Sequence, residues 1–293
     1  MTIVGLDDTD SRERGMCTTY LAARLAEAVV DDGGRVDRKL LIRLNPAVEH
    51  KTRGNAALAL HTDLDPERAL DLASAELEPL AETADPRTSP GVVVAPGEPD
   101  DVPEAVSTFT RRAIRDFLEP ADARRIADDA GYLHRGWAGG RGRIGALAAL
   151  GAWAALDEWT YEHISYRAFD RCGTPRSVDD ASVFEAADSL YPQAWDTVDR
   201  EEGESVCIPN APGPILYGVR GDDREAVRDL AARIESEPVE RSATFLTNQG
   251  TDVHLREGML GELQDGRAYR VDGTVASDPE TRQGGHVFFD LEA

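Results

Sequence analysis

Short apolar runs alternate along this chain with longer stretches in which apolar residues recur every three or four positions, the signatures of buried strands and amphipathic helices. Residues 2–6 read as a short apolar strand. The Ala- and Leu-rich stretch from Thr18 to Asp31 reads as a helix ended by Gly33-Gly34. Arg38 to Leu44 alternates apolar and polar positions and reads as a strand that Asn45-Pro46 breaks. An apolar strand from Ala56 to His61 follows, then a helix over 66–78 and a turn-rich loop from Asp85 to Pro90. The run 91–94 reads as a short buried strand. Helices are expected at 103–118, 121–129 and 144–159, with the Gly- and Arg-rich segment 134–143 left as a loop.

A composition shift between Trp159 and Ser165 suggests a domain boundary. Beyond it come a strand at 162–169, a helix at 179–189, strands at 205–209 and Leu216–Val219, a helix at 222–235 and a strand at 242–247. This β-α-β-β-α-β order fits a ferredoxin-like unit. Tyr269–Val275 and His286–Leu291 add two strands with no closing helix, a combination marginal by itself. The expected class is α+β. A first α/β unit spans 1–160, a ferredoxin-like unit 161–267, and a further β-rich segment opens at 268–293.

Composition narrows the setting. No apolar run approaches the ~18 residues of a membrane-spanning helix, and no basic segment followed by an apolar stretch marks a secretory signal, so no membrane partner is expected. Cys17, Cys172 and Cys207 make neither a CxxC pair nor an even disulfide set, and a reducing cytoplasm is the simplest compartment. The charge is extreme: 55 acidic against 32 basic residues, net −23. Lysine is confined to Lys39 and Lys51. Such a chain fits very high salt, as in halophilic archaea, because repulsion between surface carboxylates needs the screening that molar salt supplies within about 3 Å. An acidic surface ordinarily disfavours nucleic acid, but molar salt also weakens phosphate–cation attraction. Local arginine clusters therefore decide that question.

The chemistry gathers at the N-terminus. Asp7, Asp8 and Asp10 follow the first strand at once. Singly each would be a solvated acidic turn. Together, beyond a strand C-terminus where open α/β sheets place ligands, they suit a hard cation such as Mg2+, held by one or two carboxylates and by phosphate oxygens. Thr18 and Thr19 open the next helix, where hydroxyls cap backbone N–H groups and also meet anions; a hydroxyl here could accept a phosphoryl group as a lesser reading. Metal and anion side by side point to a nucleotide.

Lys51 and Arg53, in Lys51-Thr52-Arg53-Gly54-Asn55, form either a phosphate clamp or a solvated hairpin. Arg141, Gly142 and Arg143 enter a helix as either an anion cradle or a tightly packed start. They belong to neither a Walker A loop nor a dinucleotide fingerprint. The stiff Cys207–Pro214 loop with Asn210, and the polar Thr247–His254 turn with Asn248 and Asp252, either line a pocket or simply turn the chain. His50, His134, His254 and His286 are too scattered for a zinc site.

These strings together resemble one family, the archaeal tRNA-isoleucine agmatinylcytidine synthetases, TiaS. The resemblance rests on Gly5-Leu6-Asp7-Asp8-Thr9-Asp10, Gly15-Met16-Cys17-Thr18-Thr19-Tyr20-Leu21-Ala22, Ile42-Arg43-Leu44-Asn45-Pro46 and Lys51-Thr52-Arg53-Gly54-Asn55. It continues through Arg141 to Ala149, Cys207-Ile208-Pro209-Asn210, Leu216 to Gly221 and Gly284-Gly285-His286-Val287-Phe288-Phe289, all in order. The resemblance implies an enzyme that uses ATP, consumed to AMP and phosphate, to activate C2 of the wobble cytidine in an isoleucine tRNA with a CAU anticodon. Agmatine then displaces the activating group to give agmatidine.

For the fold, the resemblance implies a kinase-like domain over 1–160, a ferredoxin-like domain over 161–267, and an OB-fold begun at 268–293, with no counterpart expected in these residues to the family's zinc ribbon. Residue by residue it implies Asp7, Asp8 and Asp10 on magnesium and ATP. It makes Thr18 a phosphorylated threonine and sets Thr9, Gly15, Thr19, Lys51, Arg53, Arg141, Gly142 and Arg143 by the nucleotide. Asn210, Asn248 and Asp252 would border the agmatine entrance. Two other readings remain at this point: a nucleotide- or tRNA-binding module without catalysis, and a kinase acting on a small amine.

Overall fold

The computed structural model describes residues 1–52, 54–281 and 287–292. Its first half builds β1 (Thr2–Asp7), α1 (Thr18–Asp31), β2 (Val36–Arg43), β3 (Ala56–Thr62), α2 (Pro66–Leu77), β4 (Gly91–Pro96), α3 (Glu104–Arg115), α4 (Pro120–Asp129), β5 (Leu133–Gly136), α5 (Arg143–Leu150) and α6 (Ala152–Ala155). The second half builds β6 (Thr160–Tyr166), α7 (Asp180–Leu190), β7 (Ala194–Trp195), β8 (Val198–Asp199), β9 (Glu204–Ser205), β10 (Ile215–Gly221), α8 (Arg224–Arg233) and β11 (Arg241–Thr247). Six two-residue strands, β12 (Arg256–Glu257), β13 (Tyr269–Arg270), β14 (Thr274–Val275), β15 (Glu280–Thr281), β16 (Val287–Phe288) and β17 (Leu291–Glu292), close the described chain as three pairs.

One mixed nine-stranded sheet runs through both halves in the order β5-β4-β1-β3-β2-β11-β6-β10-β7. The halves meet where β2 and β11 pair in parallel, Leu40 opposite Leu246 and Leu41 opposite Thr247. Alternation along the strands sorts the first half's core into two faces. Ile3, Ala57, Ala59, Val93 and Ala95 pack with the Ala-rich α5 and with α3. Val4, Leu6, Leu58, Leu60, Val92 and Val94 pack with α1 and α2. A third cluster joins β10 to α7 and α8 through Leu216, Tyr217, Val219, Val183, Val227 and Leu230.

Four local expectations fail. Residues 134–136, read as loop, belong to the edge strand Leu133–Gly136, antiparallel to β4, because β4 offers an unpaired edge that a short extended segment can join. The helix expected over 144–159 ends at Leu150; Gly151 interrupts it, and a further Cβ there would stand 2.6 Å from Thr110 Oγ1. The strand expected at 205–209 is reduced to Glu204–Ser205, paired with Val198–Asp199, since Pro209, Pro212 and Pro214 supply no N–H for a ladder. The two long C-terminal strands are replaced by short paired pieces; His286 lies outside the described residues.

Candidate functional site

β1 is buried through Leu6 and delivers Asp7 at its end, after which Asp8 takes a left-handed backbone, φ 61°. The turn that follows is pinned from the 82–89 loop. The Thr9 carbonyl accepts from Glu82 N at 3.0 Å. The Asp10 carbonyl accepts from Thr88 Oγ1 at 2.8 Å, and Ser11 Oγ donates to Asp85 Oδ2 at 2.7 Å. Asp85 sits well below the usual carboxylate range, held by hydrogen bonds from Arg87 and Ser11. A second sharp turn, Gly15 at φ 96° and Met16 at φ 60°, sends the chain into α1 with Cys17 as an extended N-cap and Thr18 as its first residue.

Three segments close on the acidic turn. Ser89 holds the glycine loop: its Oγ accepts from Arg141 N at 3.0 Å and donates to the Ala138 carbonyl at 2.8 Å, and its carbonyl accepts from Gly142 N at 2.8 Å. Arg141 Nη2 then donates to Asp8 Oδ2 at 2.8 Å. Thr52 Oγ1 donates to Asp10 Oδ1 at 2.9 Å, and Arg12 secures that loop through Nε to the Thr52 carbonyl at 2.6 Å. Gly142 and Gly145 are demanded by packing: a Cβ on Gly145 would stand 2.0 Å from Asp7 Oδ2, and one on Gly142 would stand 2.6 Å from the Asp7 carbonyl. The N-terminal turn of α5 therefore lies directly on Asp7, where its dipole favours negative charge.

Asp7, Asp8, Asp10, Thr18, Thr19, Lys51, Arg141 and Gly142 share the wall of one cavity of about 810 Å3. Arg53 lies outside the described residues. The wall continues across the seam between the two halves to Glu162, Ile164, Pro209 and Ile215, and ends on an apolar flank that includes Phe117, Leu118 and Pro120. Burial pushes the Asp7 carboxyl well above its ordinary range, and the neighbouring Asp8 charge pushes the same way. Asp8 is raised by burial too, against the opposing pull of Arg141.

Other residues singled out from sequence lie outside that wall. Thr9 is fully buried behind it and donates to Thr18 Oγ1 at 3.0 Å. Gly15 packs near Pro212, and the Arg143 guanidinium turns away to cover Gly136 and Gly140. Asn210 is exposed on its loop. Asn248 is spent on the backbone of Arg43, with Oδ1 accepting from Arg43 N at 2.7 Å and Nδ2 donating to Arg43 O at 3.1 Å. Asp252 pairs with Arg270.

Sequence reasoning missed Arg43 and Glu162. Arg43 Nη2 donates to Glu162 Oε2 at 2.6 Å, and Arg220 Nε stands 3.6 Å from Glu162 Oε1. Burial by itself would raise Glu162, but the two arginines outweigh it and hold the carboxyl below its ordinary range. The available signal was a lone carboxylate within the largely buried strand Thr160–Tyr166.

Among the described residues no group of three His, Cys, Asp or Glu side chains is arranged to hold a metal by itself. Magnesium asks for less, one or two carboxylates with phosphate oxygens. Asp7 fits that need: it faces the cavity, its charge is disfavoured by burial and by Asp8, and no ion pair among the described residues neutralises it.

Comparison with known proteins agrees in both halves. Residues 3–64 match the family model described as the TiaS TCKD domain, and residues 140–254 match the TiaS FLD domain. A protein of Haloquadratum walsbyi named tRNA(isoleucine-2) 2-agmatinylcytidine synthetase TiaS is 64% identical over 292 residues, 99% of this chain and 63% of that relative. The protein of the same name from Methanosarcina mazei is 44% identical, over 98% of this chain and 68% of its own length. A crystal structure of TiaS in complex with its isoleucine-2 tRNA and ATP superposes with TM-score 0.88 at 39% identity, covering 99% of this chain and 69% of that one. A complex of TiaS with the same tRNA, AMPCPP and agmatine does so with TM-score 0.86 at 38% identity, covering 99% and 70%. The chain thus spans roughly two thirds of the length of the relatives it matches.

Proposed function

Since the chain belongs to the TiaS family, we propose that it takes part in joining agmatine to C2 of the wobble cytidine of an isoleucine tRNA, at the expense of ATP. The observation that carries this reading is the shared cavity. Carboxylates, a helix-N-terminal hydroxyl, a lysine and an arginine meet at one end, and a buried carboxylate from the second half meets them across the seam. The relatives crystallised with isoleucine-2 tRNA, ATP, AMPCPP and agmatine support assigning those ligands to this chain.

In this reading the polar end takes the triphosphate, with Lys51 and Arg141 as cationic contacts. Thr18 accepts a phosphoryl group, and Asp7 with Asp8 or Asp10 holds magnesium, which when bound offsets the phosphate charge. The C2 oxygen of the cytidine likewise takes up a phosphoryl group that originates from ATP, and it leaves as phosphate when agmatine's amine attacks C2. The region 1–160 acts as the kinase-like unit and 161–267 as the ferredoxin-like unit, a view supported by the strand order β11-β6-β10-β7 with α7 and α8 packed on β10; 268–293 begins an OB-fold. A cytoplasmic enzyme is the natural setting, and no helix among the described residues is long and apolar enough to cross a membrane.

The test is incubation in high salt with γ-labelled ATP, then with tRNA transcript and labelled agmatine. Label is expected on the protein and lost in Thr18→Ala, and agmatine label is expected in the tRNA. Nucleotide binding with neither transfer would instead identify a binding module.

A further inference from the structure

We infer that Thr9 is a positioning residue whose buried hydroxyl sets the rotamer of Thr18. The inference rests on the reading of Thr18 as phosphoryl acceptor. Thr9 is 0% exposed and lies behind the cavity wall, whereas Thr18 lies in that wall. A direct contact between Thr9 and a nucleotide therefore has no route. What Thr9 does reach is Thr18: its Oγ1 donates to Thr18 Oγ1 at 3.0 Å. Its own backbone is held in place by Glu82 N on the Thr9 carbonyl, and the next residue by Thr88 Oγ1 on the Asp10 carbonyl. The donor is thus anchored to the 82–88 loop and not to the moving chemistry.

Thr18 needs such a donor. A threonine inside a helix divides between two rotamers because its hydroxyl can bond a carbonyl one turn back. Thr18 is the first residue of α1, and no helical turn precedes it. A hydrogen bond into one lone pair of Thr18 Oγ1 selects a rotamer and leaves the second lone pair and the proton for the cavity. In the transfer, a Thr18 Oγ–phosphorus bond forms as the γ-phosphorus bond to the β,γ-bridging oxygen breaks. That electron pair stays on the bridging oxygen of the β-phosphate, cleavage of the α,β-anhydride separately accounts for AMP, and the hydroxyl proton passes to a carboxylate of the acidic turn. Alignment of the attacking oxygen governs such a step, and small misplacements slow it strongly.

The test compares the full chain with Thr9→Val, which keeps shape and removes the hydroxyl, and Thr9→Ser, which restores the hydroxyl. Protein labelling from γ-labelled ATP is expected to slow about tenfold or more in Thr9→Val at saturating ATP, with KM for ATP within about twofold, and to recover in Thr9→Ser. Methyl NMR is expected to show Thr18 in one χ1 rotamer in the parent and averaging in Thr9→Val. Labelling at the parent rate in Thr9→Val, no recovery in Thr9→Ser, or a Thr18 rotamer unchanged in Thr9→Val overturns the inference. Absence of label on the parent, with the rotamer still loosened by Thr9→Val, overturns the acceptor reading while the positioning contact stands.

Discussion

Asp7 sits where a charge is disfavoured, because burial and the neighbouring Asp8 prevail although the first turn of α5 lies over it. Its folded-state pKa is raised above the unfolded value, so its contribution to stability is full below the unfolded carboxylate pKa and is lost as pH rises through the folded one. Asp7→Asn removes that loss. The variant is expected to unfold at a denaturant concentration equal to or above the parent's at neutral pH, with the difference shrinking as pH falls, while protein labelling from ATP drops by about a hundredfold. A lower midpoint at neutral pH would show that Asp7 is stabilised by its surroundings. The acidic turn was legible from sequence because three carboxylates after an apolar strand make an unusual string. Asp85, Thr88 and Ser89, which pin that turn and the glycine loop, were not: as isolated polar residues in a turn-rich loop they carry no local sign of their distant partners.

Packing between elements places the acidic turn. α5 lies on β1 so closely that a Cβ on Gly5 would stand 2.0 Å from the Ala146 carbonyl. Gly5→Ala must push the helix off the strand, and overpacking of this kind costs about 1–3 kcal/mol. Thermal unfolding should fall by several degrees and ATP affinity should weaken with it; an unchanged midpoint would mean that α5 yields freely. At the seam, Asn248 makes two hydrogen bonds to the backbone of Arg43, each contributing about 1 kcal/mol. Asn248→Ala is expected to cost about 2 kcal/mol and to speed amide hydrogen exchange at Arg43 while leaving β1 protected. Equal exchange in variant and parent would remove Asn248 as a clamp. The helices α1, α2 and α8 were readable in the three-four spacing of their apolar residues. β5 was not, because Leu133-His134-Arg135-Gly136 has no strand pattern and is extended only by the edge of β4.

At the scale of the whole molecule, a net charge of −23 and a single sheet spanning both halves act against each other. Carboxylate repulsion favours expansion and is screened by salt, while the sheet and its buried faces hold the chain together. The melting temperature is expected to rise steadily from about 0.1 M to about 3 M KCl as screening tightens; a flat response would rule out repulsion as the main destabilising force. The sequence by itself determined the acidic turn, the helix that follows it, the order of the family strings and the charge, because each is written in neighbouring residues. Only the tertiary structure decided that Arg43 and Glu162 join the cavity, that Arg143 and Asn248 are spent on packing and on the seam, and that β2 meets β11. Strand pairing between distant segments follows from burying faces that lie far apart in the chain, and no local pattern encodes which edge a strand will find.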